Sequence, residues 1–463
     1  MHLHWHRRDL RVADNRALAA ADGPVVPAFV LDPTVLEHAS PPRVAYLLDS
    51  LSALREQYRE RGGDLLVRRG DPRAVLPDLV GAYGADAVSW NRDYSGLARR
   101  RDRAVRGALE DAGVETTVHD DALLHDPGTI TTNEGSHYSV FSYFWRKWRD
   151  REKTPPVRPP DEVVEVSGDP IPPLSDLGVA EPTADLPPAG PRAARERLDA
   201  FCEGDVYRYD ERRDYPADDA TSRLSPHLRW GTVGIRAVHE RTERAKEDAP
   251  DEATAESVTE FQRQLAWREF YAHVLEARPD VVAENFRDYE HDVEWREDPE
   301  GLQAWKDGET GYPIVDAGMR QLRAEAWMHN RVRMLAASFL TKDMLLDWRR
   351  GYDWFRRRLV DHDPANDSGG WQWAAGTGTD AQPYFRVFNP MTQGERYDPD
   401  AEYITEHVPE LRGVPPERIH AWHELDDGER TDLAPDYPAP IVEHAERREA
   451  AIAMFERARG EGE

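Results

Sequence analysis

An α/β doubly wound parallel sheet followed by an all-α domain is the fold class that three features of the sequence predict. Short apolar runs alternate with helical patterns over residues 1–125. A stretch rich in Pro, Asp and Glu then interrupts them, and from Arg192 onward apolar residues recur almost wholly at helical spacing. Strand, helix, strand at that pitch builds parallel βαβ units, whereas a sustained 3.6-residue period packs helix on helix.

Taken in order, HLHWH, VVPAFVLD, DLLVRR, AVSWN and TTVHD read as strands. Between them, Asn15 to Ala21, Pro42 to Arg61, Pro72 to Tyr83 and Leu97 to Asp111 read as helices. No GxGxxG follows the first strand, so the dinucleotide fingerprint is absent. A chain of 463 residues exceeds one ordinary core. Residues 1–125 are expected to form one domain and 196–463 a helical one, with helices over Thr254 to Ala277, Leu302 to Ala337 and Ile441 to Arg459. Residues 126–195, which open on the aromatic HYSVFSYFWRKW and pass through KTPPVRPPDE, are expected to connect them.

The composition narrows the function classes. The net charge is -28, and Lys occurs only at Lys147, Lys153, Lys246, Lys306 and Lys342, so the basic residues are nearly all Arg. An acidic, Lys-poor surface reads as an adaptation to high salt, where screening shortens the reach of a charge to about 3 Å at 1 M. A local Arg patch can then hold phosphates in spite of the global charge. The single Cys202 rules out an intrachain disulfide framework and a multi-cysteine metal site. No apolar run is long enough for a transmembrane helix and MHLHWHRRDLRV carries charges where a signal peptide needs its apolar core, so a cytoplasmic, monomeric protein is expected.

Four segments carry chemistry. In TSRLSP, Ser225 fits an N-cap and Pro226 the first helical position. Hydroxyls at a helix start also suit a phosphate, and Tyr209 and Arg213 stand just upstream. Gln264, Trp267 and Arg268 share a helical face that can stack on a base-like ligand or make an interhelical contact. Asn330, Arg333 and Met334 share another, for which Asp361 and Asp363 are candidate partners. In DHDPANDSGGWQW, the closely spaced Asp residues, a Gly-Gly pair, and Trp371 and Trp373 on one side of an extended chain suggest a pocket for a flat ring with polar edges. A Ca²⁺ loop starting at Asp361 fails, because Ala365, Asn366 and Gln372 stand at its fifth, sixth and twelfth positions.

HWHRRDLRVADNRAL, TSRLS, WREFY, GYPIVDAGMRQL, WMHNRVRM and GGWQWAAGTGTDAQPYFRVFNPMTQGERYDPD occur in order over almost the whole chain. Together they resemble the DNA photolyase/cryptochrome family, closest to class I cyclobutane pyrimidine dimer photolyases. The resemblance implies an antenna domain, a helical domain holding FAD, and light-driven splitting of pyrimidine dimers in DNA. Carried over by position, Tyr209, Thr221, Ser222, Leu224 and Ser225 would lie at the cofactor's diphosphate, and Arg213 and Arg268 would also bind the cofactor. Asn330, Arg333, Asp361, Asp363 and Asp367 would meet its ring. Trp371, Trp348 and Trp295 would relay electrons, and Gln264, Trp267, Asn330, Met334 and Trp373 would line the lesion cavity. Arg349, Arg350, Arg356, Arg357 and Arg358 are a candidate phosphate track or a solvated helix face.

Three departures from the family pattern matter. Dimer photolyases carry Glu where this chain has Gln264, and an amide donates a hydrogen bond but transfers no proton, so repair should be weakened. The (6-4) photolyases also have Gln there, but their His residues at the positions of Asn330 and Met334 are missing. Asp367 stands where repair enzymes have Asn and plant cryptochromes Asp; a buried Asp has a raised pKa and can protonate the flavin, which favours a photoreceptor. Leu97-Ala98 replaces the Asn-Glu pair of folate-binding members, which favours a deazaflavin antenna, or none, over methenyltetrahydrofolate.

Overall fold

The computed structural model describes residues 1–461. The chain divides into two compact units. The first comprises Met1–Pro182, Leu186–Asp210 and Thr221–Pro279; the second comprises Thr183–Asp185, Glu211–Ala220 and the residues from Asp280 onward.

The first unit is built on a sheet of β1 (His2–His6), β2 (Val25–Leu31), β3 (Leu66–Arg69), β4 (Ala87–Asn91) and β5 (Glu115–His119). Their order is β3-β2-β1-β4-β5 and every pairing is parallel, with Leu3 opposite both Val26 and Val88. Every residue of β1 and β2 is buried, which is why both read as unbroken rather than alternating runs. Helices α1 (Pro41–Arg59), α2 (Pro72–Tyr83) and α3 (Gly96–Asp111) connect the strands close to the expected bounds. The start of α2 is set by the Asp71 side chain accepting from Arg73 N, and its end by Gly84 in the left-handed region.

At the carboxyl end of β1 the chain folds into a buried polar knot. Asp9 accepts from Arg7 N, Asn15 Nδ2 and Asn91 Nδ2, with the rings of His4 and His6 beside it. His4, His6 and Asp9 are close enough together for a metal ion. The Asp9 oxygens are already taken up by N–H donors, however, and His6 Nε2 lies 2.6 Å from the Tyr58 hydroxyl, so the arrangement is that of a packing network.

Helices α4 (Phe141–Asp150), α5 (Ser225–Trp230) and α6 (Glu252–Ala277) complete this unit. Arg236 explains why helices belong with the sheet: fully buried on the helix Ile235–Glu247, it donates to Asp14 at 2.6 Å and Asp121 at 2.5 Å, which follow β1 and β5. The stretch 126–195 is more structured than a spacer, since it contains α4 and a bridge of Val163 to Val25 on β2.

The second unit is helical around one large core. The continuous pattern over Leu302 to Ala337 resolves into Pro299–Asp307, Pro313–Glu325 and α7 (Asn330–Ser338). Gly308 and Gly311 at positive φ, and Pro313 after them, break it. The buried Asp316 carboxylate stabilises the first break by accepting from Thr310 N, Gly311 N and the Tyr437 hydroxyl. After α7 come α8 (Trp348–Arg358), α9 (Pro364–Ala375) and α10 (His444–Ala458). Among the described residues no helix is long and apolar enough to cross a membrane.

Glu269, 1% exposed on α6, accepts from Leu124 N and His125 N, and burial pushes its pKa from 4.5 up to about 7. The folded state therefore binds more protons than the unfolded chain in that window, and stability falls as pH rises from about 4.5 to about 7. The two amides reach different oxygens, so Glu269→Gln keeps an acceptor for only one of them, but it cannot titrate; its unfolding free energy should lack that decline with pH, measured by urea titration at several pH values.

Candidate functional site

The predicted site residues fall into two sets, one on each unit. In the first unit, Thr221–Ser225 is held from below by Arg197, whose guanidinium donates to Thr221 O at 2.7 Å and Ser222 O at 3.0 Å. Arg223 takes a positive φ, and Leu224, not Ser225, is the residue flanking α5. Ser225 occupies the first helical position and Pro226 the second; the cap shifts because Ser222 Oγ already accepts from Leu224 N. Tyr209 packs edge-on against Phe201 and Phe261.

Gln264, Trp267 and Arg268 lie on α6, all partly buried. Gln264 Nε2 donates to Glu260 Oε1 at 2.9 Å, so a carboxylate stands one turn from the position where a Glu was expected. Trp267 stacks on Phe141 with centroids 3.7 Å apart. Arg268 donates to Ala122 O at 2.8 Å and Leu228 O at 3.4 Å, which ties α6 to α5 and to the loop after β5.

In the second unit, Arg333 donates to Asp361 at 2.8 Å, as their chemistry led one to expect. Asp361 Oδ1 is buried and accepts from no described residue. A buried carboxylate oxygen without a donor is costly, and it fits a cofactor whose ring edge presents an N–H. Asn330 is exposed at the start of α7 with Met334 one turn on, its Nδ2 lying 3.6 Å from the Met334 sulfur. Arg213 sits in the turn after the helix Tyr209–Arg212, and that segment is fastened by Arg331, which pairs with Asp214 at 2.6 Å and lies over Tyr397.

The stretch expected to be extended is helical. Asp363 caps α9 by accepting from Ala365 N and Asn366 N, Pro364 begins it, and Gly376 in the left-handed region ends it. Two residues apart on a helix differ by about 200°, so Trp371 and Trp373 point apart. Trp371 is 2% exposed, whereas Trp373 is partly buried and packs on Phe388. The Gly pair lies inside the helix; a Cβ at Gly370 would meet nothing within 4 Å. Tertiary packing overrides the low helix propensity of two glycines.

Asp367, in the first turn of α9, is paired with His362 Nδ1, a partner the sequence reading missed although a largely buried carboxylate requires one. The His362 ring lies edge-on to Tyr352 at 5.6 Å.

Of the three tryptophans expected to relay electrons, Trp371 and Trp348 meet α8, and Trp295 lies near its start. The Trp371 ring presses against Gly351, where a Cβ would stand 2.0 Å from it. Trp348, fully buried and donating to Asn285 Oδ1 at 2.9 Å, lies three residues before Gly351 and hence on the same helical face. Trp295 is partly buried and packs on Phe455, and its neighbour Arg296 donates its N–H to Leu345 O, just before α8. Trp305, 6.0 Å from Trp371, is a further buried indole that the sequence reading did not single out. The Arg run on α8 is largely neutralised: Arg349 pairs with Asp347, Arg350 with Glu297 and Arg356 with Asp353, while Arg358 lies over Trp354.

Two family models match the chain: DNA photolyase over residues 2–161 and the FAD binding domain of DNA photolyase over residues 261–457. The chain is 62% identical to a deoxyribodipyrimidine photo-lyase of Halobacterium salinarum, covering all of both sequences. It resembles the crystal structure of a class III photolyase from Agrobacterium tumefaciens with a TM-score of 0.91 at 36% identity, over 99% of this chain and 98% of that one. It also resembles a Synechocystis cryptochrome with a TM-score of 0.88 at 26% identity, over 98% of each chain.

A side chain at Gly351 would have to displace the Trp371 ring. Gly351→Ala should destabilise the protein by about 1–3 kcal/mol through overpacking, seen as a lower urea midpoint together with altered near-UV circular dichroism of the buried tryptophans.

Proposed function

Because this chain belongs to the DNA photolyase family, we propose that it is a light-dependent deoxyribodipyrimidine photo-lyase that binds DNA containing cyclobutane pyrimidine dimers and splits them without net redox change. The observation that carries the reading is the conjunction of the Arg333–Asp361 pair, its open carboxylate oxygen, and buried tryptophans joined through α8. FAD, when bound and reduced, supplies the light-driven electron that opens the cyclobutane ring and is returned afterwards.

The chain's own residues have four tasks. Arg333 and Asp361 hold the cofactor, with the free Asp361 oxygen accepting a hydrogen bond from it while the guanidinium pairs with the other oxygen. Asn330 and Asp363 contribute further polar groups in the second unit; Tyr209, Thr221, Ser222, Leu224, Ser225 and Arg268 contribute in the first, with Arg213 following them in sequence. Trp371, Trp348 and Trp295 pass an electron from the partly exposed end of the series to the buried end. Gln264 donates to a carbonyl of the lesion, Trp267 and Trp373 flank it, and Met334 borders it. A dimer costs less to flip out of the duplex than an intact base, which favours damaged sites.

Gln264 and Asp367 both modulate this activity. The amide gives a weaker hydrogen bond than a carboxylic acid and donates no proton, and the Asp367–His362 pair places an ionisable carboxylate where Asn was expected. That pair favours, as a second reading, a cryptochrome-type photoreceptor with FAD and little repair. A deazaflavin antenna fits the first unit better than methenyltetrahydrofolate, since the α3 start offers only Leu97 and Ala98 behind the Ser95 cap. The protein acts as a cytoplasmic monomer in this reading.

The test is loss of thymine dimers from an oligonucleotide incubated with chemically reduced protein under near-UV light. Dimer loss is expected; its absence, with the protein folded and loaded, would favour the photoreceptor. Trp348→Phe should abolish light-driven reduction of the oxidised protein yet leave repair by the chemically reduced protein intact. Gln264→Glu should raise the repair yield per photon several-fold, and an unchanged yield would refute the role assigned to the amide.

A further inference from the structure

Helix α4 carries a feature that the site does not use. Tyr143, Arg146 and Lys147 stand at i, i+3 and i+4, so they share one face. All three are exposed, Tyr143 to 53%. Arg146 donates to Ser142 O and lies 4.7 Å over the Tyr143 ring, and among the described residues it has no acidic partner. Lys147 Nζ has no partner among them either. The neighbouring acid, Asp150, is already paired with Arg149.

In a chain with a net charge of -28, the arginines on α8 are mostly matched to carboxylates, whereas these two cations are not. Lysine is scarce in the chain, yet Lys147 and Lys153 both fall on or just after α4. Lys153 is used internally, donating to Arg149 O and lying over Trp148, which leaves Lys147 as an outward charge. In high salt only direct contacts survive screening, so cations without an acidic neighbour are the ones that can still engage an anion. The opposite, buried face of α4 packs on α6 through the Phe141–Trp267 stack, which holds the Tyr143–Arg146–Lys147 face outward.

We propose that the Tyr143–Arg146–Lys147 face of α4 is a docking surface for the phosphodiester backbone of DNA, with the two cations on successive phosphates and the tyrosine ring against sugar or an unstacked base. Basic groups with an interleaved aromatic match the charge and the stacking surface of a nucleic acid strand. The proposal rests on the DNA-binding part of the proposed function and adds the surface that provides it.

The test compares the FAD-loaded wild-type protein with the double variant Arg146→Ala/Lys147→Ala. The control is Arg244→Ala/Lys246→Ala, which removes the same charge from the helix Ile235–Glu247. Binding to undamaged and dimer-containing duplexes is followed by fluorescence anisotropy across a salt series. The α4 variant should lose at least about tenfold in affinity for both duplexes, and its log K against log salt slope should be shallower by about 1.8, or 0.9 for each lost phosphate contact. The control should stay near wild type. Dimer splitting at saturating DNA and the flavin absorbance should be unchanged, which shows the variant folded and loaded. Wild-type affinity and slope in the α4 variant, or equal losses in the control, would overturn the proposal while leaving dimer repair standing. The same holds if the α4 variant loses binding only to phosphatidylglycerol vesicles. A wild-type protein that binds duplex through α4 yet never splits a dimer would overturn the repair reading and leave this surface in place.

Discussion

The contact between the Trp371 ring and the backbone of Gly351 is the constraint on which the packing of α8 against α9 depends. It brings α8 and α9 together more closely than any side chain at 351 would allow. That approach joins Trp371 to the helical face carrying Trp348, and it positions the Asp361–Asp367 stretch that leads into α9. In the same core the indoles of Trp305 and Trp371 meet edge-on with centroids 6.0 Å apart. The remaining polar groups are arranged around this hydrophobic fact: Arg333 answers Asp361, and His362 answers Asp367.

The sheet-bearing unit solves a different problem with charge. Arg236 and Arg11 meet Asp14 and Asp121 in nearly complete burial. Removing such ions from water costs on the order of several kcal/mol each, so the pairs contribute register more than net stability. They seat the helix Ile235–Glu247 on the loops that follow β1 and β5. The surface is strongly acidic, as a protein working at high salt requires, and it agrees with the likeness to a relative from Halobacterium salinarum. Against that background the α4 face carries two exposed cations without an acidic partner among the described residues.

Much of this was legible in the residues because local patterns decide local structure. The strands β1 to β5 follow from apolar runs bounded by turn residues, and α2 from an Asp-Pro start and a Gly stop. The Arg333–Asp361 pair was expected because a buried guanidinium demands a carboxylate. Where reading failed, a competing term was non-local. The stretch holding Trp371 and Trp373 was read as extended, but it forms a helix in which Trp371 packs against α8. Ser225 suited an N-cap, but Ser222 had already bonded to Leu224 N. The connector held a helix because its aromatic face finds α6.

The sequence alone determined the parallel α/β sheet, the helical half that follows it and the residue types the chemistry needs, since periodicity, turn chemistry and ordered motifs are local quantities. Only the tertiary structure decided that Trp371 and Trp373 diverge, that Gln264 is tied to Glu260, that Asp367 is matched by His362, and that most arginines on α8 are spent on carboxylates while Arg146 on α4 is not. Each of these depends on which groups meet across elements, and burial and pairing are settled by packing that no single stretch of chain contains.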